Sequence, residues 1–195
     1  MKRKYAILIL AAGESKRLGH PKQLVQFKNK TLLQHTIDLS QLFNNSDTYL
    51  ILGAHYQQII SSIKDVKVIL NKYWSSGMGS SISVGINEII SKGYQGALIL
   101  LCDQPFLSKE HITNIFESYE SSEFKIVSSR YNTQIGAPCF FSNQYFDALS
   151  KLNGEKGAKS IIQNNIDDCF LVDFDLGYID IDTPQDLNNL TKTDE

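Results

Sequence analysis

The apolar run from Tyr5 to Leu10 ends in Ala11, Ala12 and Gly13, and three cations follow at Lys16, Arg17 and Lys22. A continuous apolar run of this length reads as a buried strand. Small residues at its end let a ligand come close to backbone N–H groups. The cations, in a segment broken by Gly19 and Pro21, make a polyanion such as a nucleoside triphosphate the natural ligand. A tight surface turn with solvated charges is the alternative reading. The stretch is neither a G-x-x-x-x-G-K-[ST] loop nor a G-x-G-x-x-G fingerprint.

Apolar runs alternate with helical patterns through the first two thirds of the chain. Extended segments are expected at 5–10, 48–52, 66–70, 97–101 and 125–129, and further ones at 136–141, 169–172 and 178–181. Pro138 makes the early part of the 136–141 segment an edge or an entry rather than a mid-sheet ladder. Helices are expected at 31–43, just before 66, at 80–90, after a Ser108 cap, near 144–151 and 159–163, and at 185–190 behind Thr183-Pro184. His35 is expected on a helix surface, and the tail 191–195 is expected to fray. The alternation implies an α/β fold, a doubly wound and mostly parallel sheet with helices on both faces. A chain of 195 residues suits one domain over its whole length, 1–195.

In such sheets ligands sit at the carboxyl ends of the strands. Three unusual segments fall there: 11–22 after the first strand, 71–81 after the third and Asp103 after the fourth. Asp103 follows the buried run Leu98–Cys102 and can hold a hard divalent cation through oxygen, or it can cap a turn before Pro105. Asp180 and Asp182 alternate along one extended piece and so share a side. Either or both could join Asp103 on one Mg²⁺, while Asp182 could instead support the last helix cap. Gly77-Met78-Gly79-Ser80-Ser81 offers close backbone approach and then hydroxyls. Gly79, Ser80 and Ser81 are the expected base and ribose contacts, with a flexible helix lead-in as the alternative. The loop 154–159, with Lys156 and Lys159, could clamp an acceptor or be a solvated loop.

Composition narrows the partners. A formal net charge of -2 gives no global attraction to nucleic acid. Cys102, Cys139 and Cys169 lack metal-ligand spacing and resemble small apolar strand residues, which favours a reducing, cytoplasmic compartment. The four histidines lack H-E-x-x-H spacing, which sets a zinc enzyme aside. The basic start followed by apolar residues mimics a signal peptide, but Gly13-Glu14 interrupts it and no small-residue cleavage region follows. No stretch approaches the ~20 apolar residues of a membrane span.

The motifs together carry a resemblance. Leu10-Ala11-Ala12-Gly13-x-Ser15-x-Arg17-x-Gly19 with Lys22 resembles the nucleotide loop of the molybdopterin nucleotidyltransferases. Cys102-Asp103-Gln104-Pro105 resembles their metal motif. Gly136-x-Pro138-x-x-Phe141, Gly154-x-Lys156-Gly157-Ala158 and Asp180-Ile181-Asp182-Thr183-Pro184 resemble their later signatures, in order, over essentially the whole chain. Ala-Ala-Gly and Asp-Gln-Pro resemble the cytidylyl branch, whereas guanylyl members tend to Ala-Gly-Gly. Lys159 departs from the usual arginine, keeping the charge but losing its planar fork.

The resemblance implies transfer of CMP from CTP to the terminal phosphate of Mo-molybdopterin, with release of pyrophosphate. Arg17 and Lys22 would stabilise triphosphate charge, and the backbone of Leu10, Ala11, Ala12 and Gly13 would cradle the phosphates. Asp103, Asp182 and Asp180 would hold Mg²⁺. A molybdenum hydroxylase would receive the product. Guanylyl or other nucleotidyl transfer to molybdopterin or to a sugar or alcohol phosphate is the near alternative. A non-catalytic cofactor delivery protein is the distant one.

Overall fold

A computed structural model describes residues 4–192. The first three residues and the last three of the expected frayed tail lie outside the described residues. The strands are β1 (Tyr5–Ala11), β2 (Gln26–Phe27), β3 (Lys30–Thr31), β4 (Ser46–Leu52), β5 (Lys67–Leu70), β6 (Gly96–Leu101), β7 (Ile126–Tyr131), β8 (Gln134–Ser142) and β9 (Cys169–Asp173). The helices are α1 (Leu32–Gln41), α2 (Tyr56–Ile59), α3 (Met78–Ile89), α4 (Lys109–Ser121), α5 (Phe146–Ser150), α6 (Lys159–Asn164) and α7 (Pro184–Lys192).

The main sheet has the order β5-β4-β1-β6-β8-β7-β9, and β8 alone runs against its neighbours. The expected doubly wound α/β architecture is therefore present. Every residue of β1 is buried, because the strand lies between β4 and β6 with a helix layer on each face. Its alternation divides the core. Ala6, Leu8 and Leu10 meet Ile82 and Ile86 of α3 and Phe146 of α5. Tyr5, Ile7 and Ile9 face Leu33 and Ile37 of α1 and Ile112 and Ile115 of α4.

The third cluster matters most for function. Leu18, Val25, Phe27, Leu32 and Ile181 pack together with Phe106 and Leu187. This cluster ties the loop after β1 to the segment before α7. Burying a side chain such as Ile181, which is 0% exposed, stabilises by roughly 1.5–3 kcal/mol.

Two expectations need correction, and one concerning Pro138 holds. Residues 178–181 form no strand: the chain turns through 175–178, and only Ile181 has an apolar side chain driven into the core there. Its N–H bonds the Asp103 carbonyl at 3.1 Å. Residues 134–142 form one strand, and its early part is, as expected, no mid-sheet ladder. Pairing with β7 jumps from Ser128↔Cys139 to Ser129↔Gly136, so Ala137-Pro138 bulges out of that ladder. β6 pairs only with residues 139–142. The missing N–H of Pro138 therefore costs no ladder bond. His35 is half-buried, and its Nε2 hydrogen-bonds the Phe27 carbonyl, fastening α1 to the β2–β3 hairpin.

Candidate active site

Strand order reverses between β1, which leads to β4 on one side, and β6 on the other, and ligands bind at such switch points. A cleft of about 360 Å³ opens there at the carboxyl ends of the strands. Its lining brings together Leu10, Ala11, Ala12, Gly13, Arg17, Lys22, Ser81, Asp103 and Asp182. Gly79, Ser80 and Asp180 do not line it. A Cβ on Gly79 would lie 2.8 Å from the Asn153 backbone, and its N–H bonds the Gly154 carbonyl at 2.9 Å. The Ser80 hydroxyl is occupied by Asn71, Tyr73 and Gly77. These glycines and hydroxyls thus shape the start of α3 against the 153–155 loop.

The loop after β1 folds back on itself. The Ser15 hydroxyl accepts from the Lys22 N–H at 3.1 Å, and Ser15 and Gly19 both take positive φ. This return brings Lys22 under the loop. Its ammonium hydrogen-bonds Asp103, and Asp182 at 2.7 Å. Lys22, Asp103 and Asp182 side chains are 16%, 13% and 23% exposed. Burial is the largest single influence and opposes the Lys22 charge, but the Asp103 charge, neighbouring Cys102 and the hydrogen bonds to Asp103 and Asp182 together outweigh it and hold the pKa above the ordinary lysine value. Arg17 pairs with Asp182 from the solvent side. An exposed pair of this kind stabilises little, so its significance is position.

Asp180 stands outside the lining. Partial loss of hydration, then the negative charges of Asp182 and Asp103, push its carboxyl pKa above the usual range. Among the described residues no three His, Cys, Asp or Glu side chains form a group able to hold a metal by themselves. The donor set still fits an ion completed by substrate. Asp103 Oδ1 is buried with no hydrogen-bond partner, and Asp182 lies across Lys22 from it. Mg²⁺ in nucleotide sites commonly takes one or two carboxylates, with phosphate oxygens and water for the rest.

The cleft also uses residues that sequence patterns did not single out. Gln23 is 1% exposed and bonds the Ala11 and Gly13 carbonyls. Trp74 and Glu155 line the cleft wall. Trp74 lies within the 71–81 segment and Glu155 within the 154–159 loop, while nothing in the sequence pattern marked Gln23. A second hollow of about 200 Å³ shares Met78, Leu101 and Glu155 with the cleft. Its floor includes Ile82, Ile99 and Ile162, and Lys156 and Lys159 line it. No helix of the described residues is long and apolar enough to cross a membrane.

Comparison with known proteins agrees with this geometry. The chain is 30% identical over 129 residues to nicotine blue oxidoreductase of Paenarthrobacter nicotinovorans, covering 65% of this chain and 61% of that one. It is 30% identical over 128 residues to a probable molybdenum cofactor guanylyltransferase of Bacillus mycoides, covering 64% and 60%. The match thus spans about three fifths of each relative. The fold resembles that of Rv0371c from Mycobacterium tuberculosis H37Rv (TM-score 0.82, 26% identity, 98% and 99% of the two chains). That protein is also known in complex with manganese (TM-score 0.77, 25% identity, 97% and 99%). Residues 7–169 match the MobA-like NTP transferase domain, and the chain therefore belongs to that family of nucleotidyltransferases.

Proposed function

We propose that this protein transfers CMP from CTP to the terminal phosphate of Mo-molybdopterin and releases pyrophosphate. The observation that carries the reading is Lys22 bridging Asp103 and Asp182 beneath a loop of small residues. That arrangement sets one cation and two carboxylates beside a backbone able to approach phosphates.

The acceptor is a phosphate monoester with a second pKa of about 6, so it is mostly ionised at neutral pH. It needs no protein base. Its oxygen attacks the α-phosphorus in line with the bond to the β-phosphate. A new P–O–P link forms, the old one breaks, and its electron pair leaves with pyrophosphate. The protein's task is to bring two polyanions together and hold them aligned. The backbone at Leu10, Ala11, Ala12 and Gly13 lies along the phosphates. Arg17 and Lys22 meet the charge that develops on the leaving pyrophosphate. Lys22 has three N–H donors, enough for both carboxylates and a phosphate oxygen. Asp103 and Asp182, with Asp180 as a further carboxylate, would hold Mg²⁺, which would neutralise phosphate charge and polarise the α-phosphate. The manganese complex of Rv0371c supports a divalent ion in this role.

Ser81 and Trp74, which both line the cleft, would meet the nucleoside, with Gly79 and Ser80 shaping the start of α3 beneath them. The adjoining hollow, lined by Lys156 and Lys159, suits an anionic acceptor. The Ala11-Ala12-Gly13 and Asp103-Gln104-Pro105 forms support cytosine as the base. The molybdenum cofactor relative supports the acceptor. Placement in the cytoplasm and hand-over to a molybdenum hydroxylase belong to the same reading.

The test is pyrophosphate release with CTP, GTP, ATP and UTP, each with Mo-molybdopterin and Mg²⁺ or Mn²⁺. Release with CTP well above the others is expected. Preference for GTP would replace the base. No release with any nucleotide would overturn the reading and favour a delivery protein.

A further inference from the structure

Four successive carbonyls of the loop after β1 are tied to donors on neighbouring segments. Gln23 Nε2 donates to Ala11 O at 2.9 Å and Gly13 O at 3.1 Å. The Ala54 N–H donates to Ala12 O at 3.0 Å. His55 Nε2 bonds Glu14 O at 2.8 Å. The peptide bonds concerned are trans, and in a planar trans peptide the N–H points opposite to the C=O. Drawing each carbonyl into the protein therefore turns the N–H groups of Ala12, Gly13, Glu14 and Ser15 to the other edges of the loop. No carbonyl of this stretch is left to face an anion.

The segments that do this are close-fitted. A Cβ on Gly53 would lie 2.6 Å from Ala12 O, so only glycine lets Ala54 and His55 approach the loop. Gln23 is held at a cost: its Oε1 is buried with no partner among the described residues. An unsatisfied buried acceptor costs about 1–3 kcal/mol. Conversely, a Cβ on Gly13 meets nothing within 4 Å, so the space in front of the loop is open to the cleft that Gly13 lines.

We infer that Gln23 and His55 are positioning residues that hold the loop's carbonyls away from the cleft, so that the loop presents N–H groups to a polyphosphate. This rests on the nucleotidyl-transfer reading only in requiring a polyphosphate ligand; base and acceptor do not enter. Without the Gln23 amide, the Ala11 and Gly13 carbonyls are free to swing and to place partial negative charge against phosphate. Without the His55 ring, the Glu14 carbonyl gains the same freedom.

Inorganic tripolyphosphate, titrated calorimetrically into the full chain, is the probe, with the ligand-free thermal midpoint as control. Gln23→Leu is expected to weaken binding at least tenfold and His55→Leu at least threefold, while His55→Gln, which restores an N–H donor, stays within twofold of the unaltered protein. Should Gln23→Leu fail to fold, the two His55 variants decide. A His55→Leu variant that binds as tightly as the unaltered protein overturns the inference, as does a His55→Gln variant as weak as His55→Leu. In both cases the nucleotidyl-transfer reading survives. Failure of the unaltered protein to bind tripolyphosphate also overturns the inference, while the nucleotidyl-transfer reading is decided separately by pyrophosphate release.

Discussion

Lys22 and Asp103 lie 81 positions apart in the chain and share a hydrogen bond at the mouth of the cleft. Lys22 bonds Asp182, a further carboxylate 160 positions away, through the same ammonium. Three distant segments therefore meet on one nitrogen. A compact, rotatable ammonium suits this place better than a planar guanidinium, because it can bond two carboxylates and still offer a third N–H.

Replacing Lys22 should separate chemistry from stability. Lys22→Ala is expected to lower turnover by at least about 10²-fold, in line with loss of a group aimed at developing charge. It also leaves two partly buried carboxylates without the cation they share, so the variant should melt at a lower temperature than the unaltered protein. Thermal melts and pyrophosphate release check both halves. Turnover within threefold of normal would remove Lys22 from the machinery.

Gly13→Val should leave the fold intact and abolish nucleotide binding. The added Cβ meets no protein atom within 4 Å and Gly13 carries no positive φ, so the protein has no reason to resist it. A thermal midpoint within about 2 °C of normal is expected, since surface changes free of clashes cost under about 0.5 kcal/mol. Calorimetric titration should find CTP affinity reduced at least tenfold. Unchanged affinity would show that the ligand does not approach this backbone.

Ile181→Ala probes the anchor rather than the chemistry. Ile181 is fully buried among Leu18, Val25, Phe27 and Leu32, and truncation should destabilise by about 2–4 kcal/mol. It should also lower activity at temperatures where the variant remains folded, because Asp182 loses its rigid neighbour. Denaturant melts measure the first effect and initial rates at 15 °C the second. Full activity in a destabilised but folded variant would show that Asp182 needs no such anchor.

His111 predicts an acid limit. Burial pushes its pKa from 6.5 down to about 4, while its Nε2 lies 2.7 Å from the Ser129 hydroxyl and its ring stacks on Phe174. Between these values the unfolded chain binds a proton that the folded chain refuses. The stability attached to the neutral ring is therefore present above 6.5 and lost as pH falls towards 4, by at most about 3 kcal/mol. His111→Phe should flatten the pH dependence of the thermal midpoint across that window. An unchanged slope would assign the acid loss to other groups.

The residue order by itself determined the sheet and its helix layers. Tyr5–Leu10 and Ala97–Leu101 are apolar on both faces and have no use outside a covered parallel sheet. Thr31 and Ser108 cap α1 and α4 through local hydrogen bonds, to Gln34 and His111, and local chemistry of this kind is readable in a few neighbouring residues. The same reading placed Lys22 and Asp103 at one rim, because both follow strands that end on the same side of the sheet.

Other features were decided only by the tertiary structure. Asp182 reaches Lys22 through the burial of Ile181, a contact with Leu18 and Phe27 that no local periodicity encodes. Gly79 and Ser80 looked like ligand contacts in the sequence, yet their space and hydroxyl are taken by Asn153, Asn71 and Tyr73, which arrive from elsewhere in the chain. Gln23 and His55 carry no motif, and their roles appear only once the loop's carbonyls need donors. Local sequence specifies which backbone geometry is cheap; which partners satisfy its polar groups depends on segments brought together by core packing.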